Sequence, residues 1–285
     1  MIQFQKVNKQ LGEFALQNIS FELPKGYVMG LIGENGAGKT SLLHLILGLY
    51  LPDSGKISIM GNTYGEAERE IKNKTGYVVL DEQLFLSATS LVDNAKLYGR
   101  FYADYDGELL LDYCGQFALD PHKRWKSLSK GEKLKFQFAF ALAHHPKLLV
   151  LDEPTANFDP QFREQFMQIL ANFVSDGEKS VILATHQMQE LDQIADYITF
   201  LHRGKLVFSA EKETVTDKLR IVSGAPYKVN LLKEERVICK EIKNYAAAAL
   251  VRHRDRDTYD SALTVSIPTM EDVMYYLIKS GKLDG

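Results

Sequence analysis

The chain has 285 residues, 45% of them hydrophobic and 25% charged, enough for one sizeable core and a small accessory unit. A formal net charge of −3 excludes nucleic-acid binding driven by charge, and the one dense cluster, RHRDRD at 252–257, alternates in sign and reads as a solvated turn. Cys114 and Cys239 share no metal-ligand spacing, which points to two reduced thiols in a cytosolic protein and not to a disulfide framework.

In chain order, the opening MIQFQKVNKQ lacks the charged-then-apolar pattern and the cleavage site of a signal peptide. Alternation at Phe14, Leu16, Ile19, Phe21 and Leu23, after a turn at 11–12, predicts paired strands. YVMGLI (27–32) reads as a buried strand and TSLLHLILGL (40–49) as a packed helix. Between them, LIGENGAGKTS (31–41) has GxxxxGK[ST] spacing. Gly33, Gly36 and Gly38 permit dihedrals and close approaches that a Cβ forbids, so successive amides can converge on one anion. The expected ligand is a phosphate chain, with Lys39 on its β- and γ-phosphates, the Thr40 hydroxyl on Mg²⁺ and the helix N-terminus near Gly38 aimed at the same group. The apolar run at 42–51 is about half the length that crosses a bilayer, so work at a membrane requires a second, spanning chain.

PDSGKISIMG (52–61) predicts a turn and a short strand. From about 90 to 145, helical stripes at Leu91, Ala95, Tyr98 and Tyr102, then at Leu109, Leu110, Tyr113 and Phe117, predict a helical insert. From KLLVLDEP (147–154) the order is strand, helix (160–174), strand (SVILATH, 180–186), helix, strand, the grammar of a mostly parallel sheet with helices on both faces. An apolar strand ending in Asp152 and Glu153 needs a partner for its carboxylates. A magnesium–nucleotide site supplies one: Asp152 would hold Mg²⁺ through a water, and Glu153 would orient or deprotonate the attacking water. Caps and surface salt bridges at a strand end are the alternative. Beyond about 209, YKVNLL, RVICKEI and ALTVSI predict short strands, and PTMEDVMYYLIKSG predicts a final helix capped by Thr269. This tail carries no catalytic constellation and reads as a regulatory or partner-binding appendage.

With SLSKGEK (127–133) added to the phosphate loop and the carboxylate strand, the chain resembles the nucleotide-binding subunits of ABC transporters over at least residues 2–215. The stretch looks like that family's signature, usually written LSGGQ, with Ser129, Gly131 and Glu132 matching and Lys130 replacing a glycine. Ser followed by Glu three residues later is also a capping box, so an N-capped surface helix is the competing reading. The resemblance implies an α/β P-loop NTPase fold with a mostly parallel sheet, an N-terminal antiparallel β-subdomain, a helical insert and a small α+β C-terminal appendage. It divides the chain into an ATPase domain, 1–215, with a helical subdomain at about 88–145, and an accessory domain, 216–285.

The resemblance further implies ATP and Mg²⁺ as ligands, with Gly33, Glu34, Asn35, Gly36, Ala37, Gly38, Lys39, Thr40 and Ser41 on the nucleotide. Glu153 and His186, the latter resembling the switch histidine, would be catalytic. Ser129, Gly131 and Glu132, together with Asp159 of TANFDP (155–160), would reach ATP across a head-to-tail dimer. Two positions depart from the family pattern. GYVVLDEQ (76–83) stands where GYVPQ is usual, which puts Leu80 in place of a glutamine near Mg²⁺ and leaves Asp81 or Gln83 to substitute. The aromatic that stacks on adenine should lie near Leu11, and Phe14 is the nearest candidate.

The function implied is ATP hydrolysis that powers a separate integral membrane permease from the cytoplasmic face of the membrane. The chain would pair with a second ATPase subunit as homodimer or heterodimer, and would bind no nucleic acid. Residues 84–101 occupy the region that receives the permease's coupling helix. The closing PTMEDVMYYL resembles the C-terminal helix of bacterial export-type subunits with ABC-2 permeases, which favours export of peptides, lipids or drugs. A soluble ABC ATPase without a permease, and a nucleotide-gated regulatory module with weak hydrolysis, are the alternatives.

Overall fold

Two ten-residue strands, β1 (Ile2–Leu11) and β2 (Phe14–Leu23), pair antiparallel across a turn at Gly12 and Glu13. Leu16, Ile19, Phe21 and Leu23 are buried, although the three-residue step from Leu16 to Ile19 breaks a period of two. Asn18, at φ 50°, absorbs the extra residue where the pairing with β1 shifts register between Val7 and Lys9. In the computed structural model, which describes residues 1–79, 84–254 and 256–281, β3 (Val28–Ile32), α1 (Lys39–Ile46), β4 (Ser54–Ile59), α2 (Tyr64–Asn73) and β5 (Thr75–Val79) follow. The helical insert contains α3 (Leu91–Gly99), α4 (Gly107–Gln116), a 3₁₀ turn at Trp125–Ser127 and α5 (Lys130–Leu142). Next come β6 (Leu148–Asp152), α6 (Pro160–Val174), β7 (Ser180–Ala184), α7 (Met188–Ile194), β8 (Tyr197–His202) and β9 (Lys205–Glu211).

These strands form one nine-stranded sheet in the order β4-β1-β2-β9-β8-β3-β7-β6-β5. The run β8-β3-β7-β6-β5 is parallel, and every residue of β3, β6 and β7 is buried. Such strands lack apolar–polar alternation because helices cover both faces. Their side chains divide between two cores: Val28, Leu149, Leu151, Val181 and Leu183 face the helical insert and α6, while Met29, Leu31, Leu148, Val150 and Ile182 face α1. Because β7 lies between β3 and β6, the carboxyl ends of all three open on one edge, where ligands of open α/β sheets bind.

The remaining elements are α8 (Lys212–Asp217), β10 (Leu219–Gly224), α9 (Pro226–Asn230), β11 (Val237–Ile242), β12 (Ala247–Arg252), β13 (Thr264–Ser266) and α10 (Met270–Ser280). A second, antiparallel sheet has the order β11-β12-β10-β13. One local reading is corrected here. YKVNLL, expected as a strand, contains the helix α9, because Pro226 at its first position presets a helical φ and Val229 is buried beneath it. The alanine run at 246–249 favours helix by propensity, yet Ala247–Ala249 form part of a central strand, held by pairing to β10 and β11 on either side. The final helix is capped by Thr269 and Asp272 in a reciprocal box, as its sequence predicts. Among the described residues no helix is long and apolar enough to cross a membrane.

Candidate functional site

The loop between β3 and α1 lies at the centre of the open edge. Gly33, at φ 156°, has no room for a side chain, since a Cβ there would stand 2.4 Å from the Leu201 carbonyl oxygen. Ala37 is buried, its N–H bonded to the Glu34 carbonyl and its carbonyl to the Gly204 N–H, which fixes the loop's curvature from behind. Glu34, Asn35 and Gly36 form the exposed tip, and the Glu34 carboxylate lies 3.4 Å from His202 Nδ1. Gly38 occupies the N-cap of α1 with no side-chain cap, so the first amides of the helix, through Ser41, remain directed at the loop's mouth. Lys39 is buried and its ammonium donates to the Gly33 carbonyl at 2.7 Å. A lysine folded over converging amides fits an anionic chain that takes the place of those carbonyls.

Thr40 Oγ1 donates to Asp152 Oδ2 at 2.8 Å. The loop and the end of β6 are thereby joined through the two oxygen groups expected to share Mg²⁺. Asp152 is buried, and this hard-oxygen pair fits a cation that keeps most of its waters. Glu153 follows at φ 47°, its N–H bonded to the Ala184 carbonyl. That left-handed turn aims the side chain away from Asp152's pairing and towards β7, where Glu153 Oε2 lies 2.7 Å from His186 Nδ1. Phe14 is half-buried beside the loop, and a Cβ on Gly38 would meet its ring at 2.8 Å. Leu80, Asp81 and Gln83 lie outside the described residues.

The signature residues form a second group. Ser129 caps α5: its Oγ accepts from the Glu132 N–H at 3.1 Å, and Glu132 Oε2 accepts from the Ser129 N–H at 2.7 Å. Burial pushes the Glu132 carboxyl up, but its bonds from Lys123 and Ser129 outweigh that and leave it below the usual carboxylate range. Gly131 is required by a close approach, because a Cβ would stand 2.5 Å from the Asn157 carbonyl. Asp159 caps α6 and pairs with Lys135 at 3.2 Å; the Phe162 N–H and Lys135 hold its carboxyl below its ordinary value. Among the described residues no hydrogen bond or ion pair ties Ser129, Gly131, Glu132 or Asp159 to the phosphate loop. The capping box that SLSKGEK spells is thus formed within the chain.

Sequence reasoning missed a buried polar knot behind Glu153 and His186. Glu190 of α7 is 4% exposed and accepts from Thr155 Oγ1 at 2.9 Å and Thr185 Oγ1 at 3.3 Å, with Arg163 Nε 3.4 Å away. Burial raises its carboxyl, against the pull of Thr155, Arg163 and Thr185. The available signal was an acidic residue between Met188 and Leu191, on a face that those apolar neighbours bury.

The ABC transporter family model matches residues 16–156, and an AAA-domain model matches 124–192. A linearmycin resistance ATP-binding protein of Bacillus subtilis is 31% identical over 226 residues, 77% of this chain and 72% of that protein. The lantibiotic transport ATP-binding protein of Streptococcus pyogenes is 31% identical over 74% of this chain and 91% of its own. A Nod factor export ATP-binding protein of Rhizobium leguminosarum bv. viciae is 30% identical over 78% and 74%. Two solved structures share the fold. One is an ATP-binding subunit of an ABC transporter, with TM-score 0.68, 22% identity, and coverage of 76% of this chain and 92% of that one. The other is a dimeric ATP-binding cassette bound to ADP and Pi, with TM-score 0.66, 23% identity, and coverage of 74% and 98%. The phosphate loop joined to a strand-end aspartate, with Glu153 on His186 beside it, agrees with these matches, and the chain belongs to the family of ABC transporter ATP-binding proteins.

Proposed function

We propose that the chain binds ATP and Mg²⁺ and hydrolyses the nucleotide to power a separate integral membrane permease, in the direction of export. The observation that carries this reading is the 2.8 Å bond from Thr40 to Asp152, which brings the phosphate loop and the carboxylate strand into one site beside Glu153. In that site Lys39 exchanges its carbonyl contacts for the β- and γ-phosphates, and the amides from Gly36 to Ser41 bind the same oxygens. Thr40 and Asp152 would hold Mg²⁺, which would neutralise negative charge on the phosphates as the reaction proceeds. Glu153 orients the attacking water and takes its proton, and His186 holds the Glu153 carboxylate on the side facing the γ-phosphoryl group. Phe14 supports the adenine edge.

Ser129, Gly131, Glu132 and Asp159 serve the ATP of a second ATPase subunit across a head-to-tail dimer, with residues 1–215 as the ATPase domain and 216–285 as an accessory domain. A groove where Leu47, Leu49, Tyr64, Tyr77, Phe101 and Tyr102 stand beside Glu68, Arg69 and Lys72, with Leu49 59% and Phe101 74% exposed, supports docking of an amphipathic permease helix at the cytoplasmic face of the membrane. Relatives named for lantibiotic transport, linearmycin resistance and Nod factor export support an export role, with peptides, lipids or drugs as the cargo class. Glu153→Gln tests the chemistry: it is expected to keep ATP affinity, lower kcat by about a hundredfold or more and accumulate an ATP-bound dimer on size exclusion. Full turnover by that variant in a preparation free of other ATPases would overturn the assignment of Glu153.

A further inference from the structure

The buried knot around Glu190 links three segments that carry site residues. Thr155 lies two residues after Glu153, and Thr185 immediately precedes His186. Both threonines are fully buried, and both hydroxyls donate to the same Glu190 oxygen, at 2.9 and 3.3 Å. The other oxygen makes no hydrogen bond among the described residues and faces Arg163 Nε as an ion pair at 3.4 Å, on the helix that Asp159 caps. Thr185 Oγ1 also accepts the Gln187 N–H at 3.0 Å, so the start of α7 is tied to the same point.

Holding the fold together does not require a charge here, since burying a carboxylate is costly and apolar side chains would fill the space at less cost. What an ionised carboxylate uniquely offers is acceptance alone. It can receive two hydroxyls on one oxygen and set negative charge towards a guanidinium with the other, whereas an amide would turn an N–H₂ against one of these donors. The segments so joined are those that end in the 2.7 Å contact between Glu153 and His186.

We infer that Glu190 is a positioning residue for ATP hydrolysis: through Thr155 and Thr185 it sets the distance between Glu153 and His186, and through Arg163 it couples that distance to the helix capped by Asp159. The inference rests on the hydrolytic reading of Glu153 and His186 proposed above. It does not touch nucleotide binding, because neither threonine contacts the phosphate loop among the described hydrogen bonds.

The test is steady-state ATP hydrolysis by the full chain, normalised to the ATP-binding fraction measured with a fluorescent ATP analogue, for Glu190→Gln and for Thr155→Val and Thr185→Val. The threonine variants keep volume and remove one hydroxyl each, so they remain informative if Glu190→Gln fails to fold. Each valine variant is expected to lower kcat about tenfold, with KM for ATP within about twofold, as befits loss of a bond to a charged acceptor that acts on the transition state and not on binding. Thr155→Ser and Thr185→Ser restore the hydroxyl and are expected to recover most of kcat. Melting temperatures that fall while kcat per ATP-binding molecule stays at the wild-type value would overturn the inference and leave a purely structural knot. Glu153→Gln, run in parallel, separates the two levels: if it turns over freely, the hydrolytic reading itself fails, whatever the threonine variants do.

Discussion

His144 shows how a single buried group ties the helical insert to the main sheet. It follows α5, and its two ring nitrogens face the Phe140 carbonyl at 3.2 Å and the Thr75 carbonyl at 3.3 Å, with Tyr102 stacked on the ring at 4.0 Å between centroids. Thr75 begins the strand that leads towards residue 80, so the contact holds the approach to that segment. Burial lowers the His144 pKa to about 4, although the two carbonyls pull the other way. The sign follows from proton counting. Between its ordinary value of 6.5 and about 4 the unfolded chain binds a proton that the folded chain refuses, so stability falls as pH drops through that window. Complete loss across the window amounts to roughly 3 kcal/mol. Urea midpoints measured from pH 7.5 down to pH 4.5 are therefore expected to decline, and His144→Gln is expected to flatten that decline. An equally steep decline in the variant would assign the acid sensitivity to other groups.

At the scale of the element, α5 carries two roles on one residue. Ser129 accepts a backbone N–H as a helix cap, while its hydroxyl proton can still be donated to an anion. These roles separate by substitution. Ser129→Ala removes both and is expected to cost about 1 kcal/mol of stability. Ser129→Asp keeps the cap, since aspartate is as good an N-cap as serine, but sets a negative charge where the partner's γ-phosphate would lie. With Glu153→Gln as background, Ser129→Asp is expected to melt within a degree or two of the parent and to lose its ATP-dependent dimer by light scattering. A dimer that persists would reduce SLSKGEK to a capped surface helix in this chain.

The legible parts of the sequence are those whose chemistry is local. Gly33 to Thr40 announce an anion cradle because every residue needed lies within one turn, and Asp152 and Glu153 stand out because an apolar strand rarely ends in two carboxylates. Glu190 is hard to read by the same logic: its partners are 35, 27 and 5 residues away, and the one local sign, its place between the buried Met188 and Leu191, names burial without naming a partner. The alternating YKVNLL misleads for a related reason, since Pro226 and the burial of Val229 decide its conformation.

At the scale of the whole molecule, the C-terminal segment has two distinct attachments. Val222, Val229, Ala249 and Val251 form a small core of their own under the second sheet. Met270 and Val273 of α10, each 1% exposed, belong instead to the core under the parallel sheet, and α10 packs on α7, which starts two residues after His186 and holds Glu190. The last helix is thus continuous with the support of the candidate site, and it also packs on β11, where Tyr275 and Lys279 bond to Glu241, whereas Val222, Val229 and Val251 lie in the small core alone. Truncating each core should report this difference. Met270→Ala removes a fully buried side chain and is expected to cost about 2–4 kcal/mol, and, by loosening α7, to lower kcat of the remaining folded protein several-fold. Val222→Ala is expected to cost about 1–2 kcal/mol within the small core and to leave kcat per ATP-binding molecule unchanged. Differential scanning calorimetry with parallel ATPase assays distinguishes the two. If both variants lose stability and neither loses turnover, α10 anchors the chain without bearing on the site; if Val222→Ala also lowers turnover, the two cores are coupled through the sheet and the division drawn between them is wrong.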